Sequence, residues 1–281
     1  MTASDPAPCR LCGAEVLPHV RQRLLGKHDV QFQRCPRCDL IQSEPPYWLD
    51  EAYSHAISAL DTGAIQRNQI CGRLTITVAR VLGIDARARC LDYGGGHGVF
   101  ARMMRDLGFD FRCWDAHAEN LFARGFEGDI RAPHQLVTAF EVLEHLGDVA
   151  GQLHQLFSVG HDHIFIGTVL HDGAPDGWHY YVPEAGQHIA FYSPRTLRVI
   201  AERFGYDATI GPAYSVFSRQ TLGPVRRALL GRLMRQPVLG WAVGALTPTL
   251  VLQKLGLARG YTQSDFEALR VRGGESRPPR G

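Results

Sequence analysis

The sequence predicts an α/β protein: a mostly parallel, doubly wound sheet with a small cysteine-bearing module ahead of it and helices after it. Three observations carry this reading. The apolar-leaning run Ala88 to Leu91 is followed by the turn Gly94-Gly95-Gly96-His97-Gly98, and Val99 to Leu107 then places Phe100, Met103, Met104 and Leu107 at helical spacing. Short buried-looking runs recur downstream at Gln135 to Phe140 and His163 to Thr168, with room for a helix between them. Two Cys-x-x-Cys pairs, Cys9/Cys12 and Cys35/Cys38, precede all of it.

A chain of 281 residues has room for one α/β domain of ordinary size plus an appendage at each end, and 45% hydrophobic residues suffice to bury a real core. The formal charge of +2 gives no overall basic field, so net charge does not argue for a nucleic-acid partner. Met1 to Arg10 is polar and is followed by no apolar signal region, which places the protein in the cytoplasm. Seven cysteines, an odd number in such a chain, read as metal ligands or free thiols and not as a disulfide framework.

In chain order, the two cysteine pairs can place four thiolates tetrahedrally about one Zn2+ ion, each pair making a knuckle and the segment between them a hairpin. Cys9, Cys12, Cys35 and Cys38 would fill the coordination sphere, so the metal is expected to be structural. Residues 1–45 are read as this zinc ribbon, too small to fold without its metal. Tyr47 to Ile57 is rich in rings (Tyr47, Trp48, Tyr53, His55), which either pack the ribbon against the main domain or line a substrate site. Ile65, Ile70, Leu74, Val78 and Leu82 mark an amphipathic helix leading into the first strand.

The glycine turn lets a ligand approach the main chain without meeting a Cβ, and the following helix start offers free N–H groups. Asp92 stands two residues before the first of three alternate glycines, Gly94, Gly96 and Gly98. An anion there suits a cationic amino-acid ligand better than a pyrophosphate. A second strand runs from Gly108-Phe109 to Asp115, whose carboxylate sits where a ribose offers its hydroxyls. No third strand is evident in Ala123 to Asp129, which glycines interrupt. The fourth strand ends at Phe140, ahead of Glu141, Glu144 and His145. His154, His161 and His163 lack ligand-spaced partners and are read as solvated.

Trp178 to Pro194 is denser in rings and histidines than a connector needs. Ser193-Pro194 caps a helix with Leu197, Ile200 and Phe204 on its apolar face, and Tyr206 to Ile210 with Tyr214 to Phe217 reads as a closing antiparallel hairpin. Beyond Arg219, residues 219–272 are read as a helical extension. Arg226, Arg227, Arg232 and Arg235 are followed by an uncharged Pro237 to Gln253. That suits a hairpin packed on the domain or on another subunit, or a membrane-surface element over residues 226–257. Residues 273–281 read as a disordered tail.

The pattern Asp92-x-Gly94-x-Gly96-x-Gly98 resembles motif I of the class I S-adenosylmethionine-dependent methyltransferases. Phe140-Glu141-Val142-Leu143-Glu144-His145 and Pro183-Glu184-x-Gly186-x-His188-x-x-Phe191-Tyr192-Ser193 are similar to segments of one large branch of that family. The resemblance covers Ile65 to Phe217 and makes residues 46–218 the methyltransferase domain, a seven-stranded Rossmann-like sheet binding S-adenosyl-L-methionine at the carboxyl ends of its strands. It implies that Gly94, Gly96 and Gly98 surround the amino-acid part of the cofactor and that Asp92 supports that loop or reaches the ligand through water. Asp115 then holds the ribose, Asp129 accepts from the adenine amino group, and Phe140 and Glu141 lie beside the cofactor.

Glu144 and His145 are implied at the transfer site, with His188 a second candidate base. The sulfonium already activates the methyl group, so the protein must align the acceptor and take its proton, work suited to an imidazole near neutral pH. The plain alternative is that His145 only starts the following helix. No Asn/Asp-Pro-Pro-Tyr/Phe segment follows the fourth strand, and the ribbon ahead of the domain resembles the deoxysugar C-methyltransferases. The expected reaction is O- or C-methylation of a small-molecule or glycan acceptor. Two other readings stand beside it: an RNA methyltransferase using its ribbon on RNA, and a non-catalytic scaffold for protein contacts.

Overall fold

The computed structural model describes residues 7–54, 62–245 and 260–275. His55, residues 246–259 of the expected extension and residues 276–281 of the expected tail lie outside the described residues. Near the N-terminus, β1 (Leu17–Leu24), β2 (His28–Arg34) and β3 (Ile41–Ser43) form an antiparallel meander. The single turn α1 (Leu49–Ala52) and the long α2 (Ala64–Leu82) lead to β4 (Cys90–Tyr93). Then follow α3 (Val99–Asp106), β5 (Phe111–Trp114), β6 (Leu136–Phe140), α4 (Val149–Ser158) and β7 (His163–Gly167). After them come β8 (Ala190–Phe191), α5 (Pro194–Phe204), β9 (Asp207–Ile210) and β10 (Tyr214–Ser218). The helices α6 (Pro224–Arg235), α7 (Pro237–Ala245) and α8 (Thr262–Glu275) end the described chain.

The main sheet has the order β5-β4-β6-β7-β10-β9. Its first four strands are parallel, and the hairpin β9–β10 closes one edge antiparallel to β7. β4, β6 and β7 are buried along nearly their whole length, as strands covered by helices on both faces must be. Phe100, Met104 and Leu74 of α3 and α2 cover one face, and Leu153, Leu156, Leu197 and Ile200 of α4 and α5 the other. The start of α5 is fixed by a reciprocal cap, in which Ser193 Oγ accepts from Thr196 N while Thr196 Oγ1 accepts from Ser193 N.

Among the described residues, the main sheet has six strands where seven were expected. Outside β5, the segment with no evident third strand makes one parallel bridge, Cys113 to Glu127, flanked by hydrogen bonds from Cys113 N to Phe126 O and from Gly128 N to Cys113 O. A Cβ at Gly128 would come within 2.1 Å of Leu91 Cδ1, so this stretch crosses β4's side chains too closely to continue as a ladder.

The N-terminal meander is joined to the main domain by backbone pairing as well as by side chains. β3 pairs with β8, joining Ile41 to Phe191 and Gln42 to Ala190, so a four-stranded sheet links the N-terminal meander to the segment between β7 and α5. Phe32, Ile41 and Trp48 are buried with Tyr181, Ile189 and Phe191 in one cluster. The apolar surface that forty residues cannot cover by themselves is covered by the ring-rich loop.

His161, read as solvated, is fully buried beside His134, their ring centroids 5.6 Å apart, and its Nδ1 accepts from His134 N at 3.1 Å. Burial, with the neighbouring His134, pushes its imidazolium down to about 4. The helical extension docks on α2: Thr77 Oγ1 donates to Gly240 O at 2.9 Å, and a Cβ on Gly244 would meet Arg73 O at 2.3 Å. α8 runs to Glu275, past the expected start of the tail at 273, and is pinned by Asp265 between Arg102 and Arg105. The outward faces of α6 and α7 leave Val225, Leu229 and Val238 exposed. Among the described residues, no helix is long and apolar enough to cross a membrane.

Candidate active site

The glycine turn lies at the carboxyl end of β4. Gly94 N and Gly95 N both donate to Trp114 O at the end of β5, and Gly98 takes a left-handed conformation as the N-cap of α3. Gly94, Gly96 and Gly98 all have φ between 55° and 83°, the region that favours glycine. Gly95, which the alternate-glycine reading passed over, is required for a different reason. A Cβ there would lie 2.5 Å from Asp92 Oδ2 and 2.9 Å from Cys113 Sγ.

Asp92 is thus beneath the turn. It is 3% exposed, its Oδ1 accepts from Thr138 Oγ1 at 2.9 Å, and its Oδ2 has no hydrogen-bond partner. Burial raises its pKa to about 7 against the opposing Thr138 hydrogen bond, with the charge of Asp115 adding to the rise. Asp115 sits at the end of β5 with its carboxylate turned onto the loop. Its Oδ2 accepts from Gly96 N at 2.8 Å, and its Oδ1 accepts from His117 N and Ala118 N.

Asp129 is exposed and bound to Arg131 through both the backbone N–H and the guanidinium. Phe140 ends β6 with its ring among Phe100, Phe165 and Tyr214. Glu141 follows with φ 53°, a left-handed conformation rare for a residue with a side chain, held by its N–H donating to Gly167 O at 2.9 Å. Such a bend at a strand end is typical of a functional rim.

Past that bend, residues 143–145 form one 3-10 turn. Glu144 is fully buried. Its Oε1 accepts from Tyr180 OH at 2.5 Å, and its Oε2 has no hydrogen-bond partner. His145 Nδ1 is 3.1 Å from Gln187 O and 2.9 Å from Tyr53 OH. A carbonyl can only accept, so Nδ1 carries the proton and Nε2 is bare. The same reasoning applies to His188, whose Nδ1 is 2.8 Å from Tyr180 O. The two imidazoles meet edge to face at 4.9 Å. One donor atom from each of Glu144, His145 and His188 lies within 4.8 Å of the other two. Burial holds His145 neutral, pushing its imidazolium down to about 4 against the pull of Glu144.

The third chain segment at this site comes from the ring-rich linker. Trp48 takes the packing role, buried with Nε1 donating to Gly186 O at 2.7 Å. Tyr53 is exposed and hydrogen-bonded to His145. The ribbon braces the same loop: Arg10 Nη2 donates to Ser43 O and Ile189 O, while Ile189 N donates to Glu144 O. Tyr180 and Gln187, which sequence reading did not single out, orient Glu144 and His145. Only their position in a loop crowded with rings pointed to them.

The four cysteine thiols of the ribbon cluster within 4.8 Å of one another, with Cys9 and Cys38, and Cys12 and Cys35, 3.5 Å apart at Sγ. All four are free of disulfides. After each pair the chain turns left-handed, at Gly13 (φ 70°) and Asp39 (φ 66°), with Gly13 N returning to Cys9 O and Asp39 N to Cys35 O. The two turns face each other and bring the four thiols together.

Residues 65–209 match a family profile described as a methyltransferase domain. No curated protein sequence matches the chain. Among solved structures, a Burkholderia thailandensis 1,6-didemethyltoxoflavin-N1-methyltransferase is similar at 16% identity and a TM-score of 0.43, over 73% of this chain and 100% of that one. A magnesium protoporphyrin IX methyltransferase from Synechocystis PCC 6803, with bound SAM, is similar at 12% identity and a TM-score of 0.40, over 62% and 93%. The methyltransferase domain of a bacterial CtHen1-C is similar at 16% identity and a TM-score of 0.38, over 55% and 99%.

Proposed function

Because the chain belongs to the methyltransferase domain family and is an S-adenosylmethionine-dependent methyltransferase, we propose that it methylates a hydroxyl or an acidic carbon of a small-molecule or glycan acceptor. The acceptor lies over Tyr53, Glu144, His145 and His188. The observation that carries this is the convergence of two imidazoles and a buried carboxylate just past the end of β6, one donor atom of each within 4.8 Å of the other two. The glycine turn is one strand over, with Gly94 against Val142.

Each residue takes a distinct part. The turn Gly94, Gly96 and Gly98, with the free N–H groups of α3, receives the amino-acid end of the cofactor, and Asp92 beneath it offers a negative charge to that cationic end. Asp115 exchanges its N–H partners for ribose hydroxyls, Asp129 serves the adenine amino group, and Phe140 and Glu141 flank the cofactor. The acceptor's O–H or C–H bond gives its proton to His145 or His188. The freed electron pair bonds to the methyl carbon, and the C–S bond breaks onto sulfur to leave S-adenosylhomocysteine. Tyr53 and Glu144 hold the acceptor and the imidazoles in line.

Cys9, Cys12, Cys35 and Cys38 fit a structural zinc ion in donor type, separation and knuckle turns, and such an ion would fix the ribbon that braces the His188 loop. The test is S-adenosylhomocysteine calorimetry followed by labelled cofactor in cell extract, comparing wild type with His145→Ala. Label in small-molecule or polysaccharide fractions, lost in the variant, is the expected result. Label confined to RNA would overturn the acceptor assignment, and a protein that binds no cofactor would be a scaffold.

A further inference from the structure

Resting on the reading of this cluster as the acceptor site, we propose that Glu144, His145 and His188 form a binding site for one divalent first-row cation, separate from the ribbon's zinc. Each of the three contributes one donor atom, and these atoms lie within 4.8 Å of one another. Ligands at about 2.0–2.2 Å from a common ion sit roughly 3–3.5 Å apart, so shifts of at most about 1 Å at each side chain close the triangle.

Three features distinguish the cluster from a chance gathering of polar residues. The first is an orphan: Glu144 is fully buried, yet its Oε2 has no hydrogen-bond partner, and a carboxylate so placed is costly without a cation or a donor. The second is the orientation of the imidazoles. Both Nδ1–H groups are held by backbone carbonyls, His145 by Gln187 O and His188 by Tyr180 O, which leaves each Nε2 as a lone-pair donor. Metal-ligating histidines are fixed in this way, with the far ring nitrogen bound to a carbonyl or carboxylate. The third is the brace on the carboxylate, whose Oε1 accepts from Tyr180 OH while Oε2 is left for the ion.

Two imidazoles and one carboxylate occupy three positions and leave others open, as a site that must also receive a substrate requires. Tyr53 OH meets His145 at Nδ1, the nitrogen turned away from the proposed ion, so it neighbours the cluster without taking a coordination position. An acceptor oxygen taking an open position would meet a positive charge that lowers its hydroxyl pKa; with both Nε2 atoms ligated, its proton then passes to solvent in place of an imidazole, which narrows the acceptor to one presenting a hydroxyl. The ribbon does not compete for the same ion: its four thiolates favour zinc, whereas nitrogen and oxygen donors accept Mn2+ readily.

The experiment titrates Mn2+ into the full-length, zinc-loaded protein and follows free Mn2+ by electron paramagnetic resonance, alongside Glu144→Gln and His188→Asn. The expected result is one Mn2+ per wild-type chain, bound about tenfold or more weaker by either variant. Tyr180→Phe, which removes only the brace, weakens it less. Calorimetry with S-adenosylhomocysteine on the same samples verifies the fold and the cofactor site. If the wild type binds no Mn2+ while it binds S-adenosylhomocysteine and transfers methyl groups, the cation site is refuted and the methyltransferase reading stands. If both variants bind Mn2+ as the wild type does, the ligand assignment is refuted. Loss of cofactor binding with Mn2+ binding intact would instead count against the proposed cofactor site.

Discussion

Replacing Asp92 by asparagine isolates the energetic cost of an anion beneath the glycine turn. The folded protein raises this carboxyl from 3.8 to about 7, chiefly through burial. A group whose pKa is higher in the folded state binds its proton more tightly there, so its contribution to stability is full below the unfolded value and declines as pH rises through the folded one. At about 1.36 kcal/mol per pKa unit, the contribution lost between roughly pH 4 and pH 7 is on the order of 4 kcal/mol. The amide of the Asp92→Asn variant would keep an acceptor for Thr138 Oγ1 but cannot ionise. Urea unfolding of both proteins at half-unit steps from about pH 3 to about pH 8 is the assay, with the flanks of this range set by about one unit outside each pKa. The wild type should lose stability relative to Asp92→Asn as pH rises, by up to about 4 kcal/mol, and the difference should level off above pH 8. The cationic cofactor should reverse part of this, binding the wild type more tightly at pH 8 than at pH 6 and the variant equally at both. A stability difference that does not change with pH would refute the assignment of a strained, ionising carboxylate at this position.

Further outcomes follow from the same geometry. Gly94→Ala puts a Cβ 2.7 Å from Val142 Cγ2 at φ 68°, whereas Gly96→Ala meets nothing within 4 Å at φ 55°. The first should lower stability by about 2–3 kcal/mol and the second by about 1 kcal/mol, read by urea unfolding with S-adenosylhomocysteine affinity measured in parallel. Cys9→Ser should release the ribbon metal, detach β3 from β8 and cut methyl transfer about tenfold or more while leaving cofactor affinity within about twofold, because the ribbon braces the His188 loop and not the glycine turn. Equal losses of both would show that the ribbon supports the whole domain. Asp265→Ala leaves the buried Arg105 guanidinium with Asp110 as its remaining carboxylate partner, and should cost about 3 kcal/mol and expose α8 to protease.

What the sequence disclosed and what it concealed divide by the range of the interactions involved. The turn at Gly94 to Gly98, the capped start of α5 at Ser193 and the knuckles at Cys9 and Cys35 are each fixed by residues a few positions apart, and local chemistry is enough to read them. The strand before the turn and the helix after it were legible for the same reason. The third strand was not, because whether a glycine-broken segment forms a ladder depends on Leu91 of a neighbouring strand filling the space that a Cβ at Gly128 would need. His161 was misread because its partner, His134, is 27 residues away and meets it only in the folded core.

The candidate site carries this division into function. Glu144 and His145 stood out as a motif, but what makes them chemically poised arrives from far along the chain: Tyr53 OH from 92 residues away and Tyr180 OH from 36. Both arrive on segments that the ribbon braces, Tyr53 just after α1 and Tyr180 in the loop that runs into β8. Under the proposed function, the cofactor side of the site would be built within the family domain and the acceptor side shared between that domain and the N-terminal module. Acceptor choice should then follow the ribbon and its adjoining linker. A chimera that exchanges residues 7–54 and keeps β4 to β7 should change the acceptor and keep the cofactor affinity, whereas a chimera that loses cofactor binding would show that the two sides are not separable.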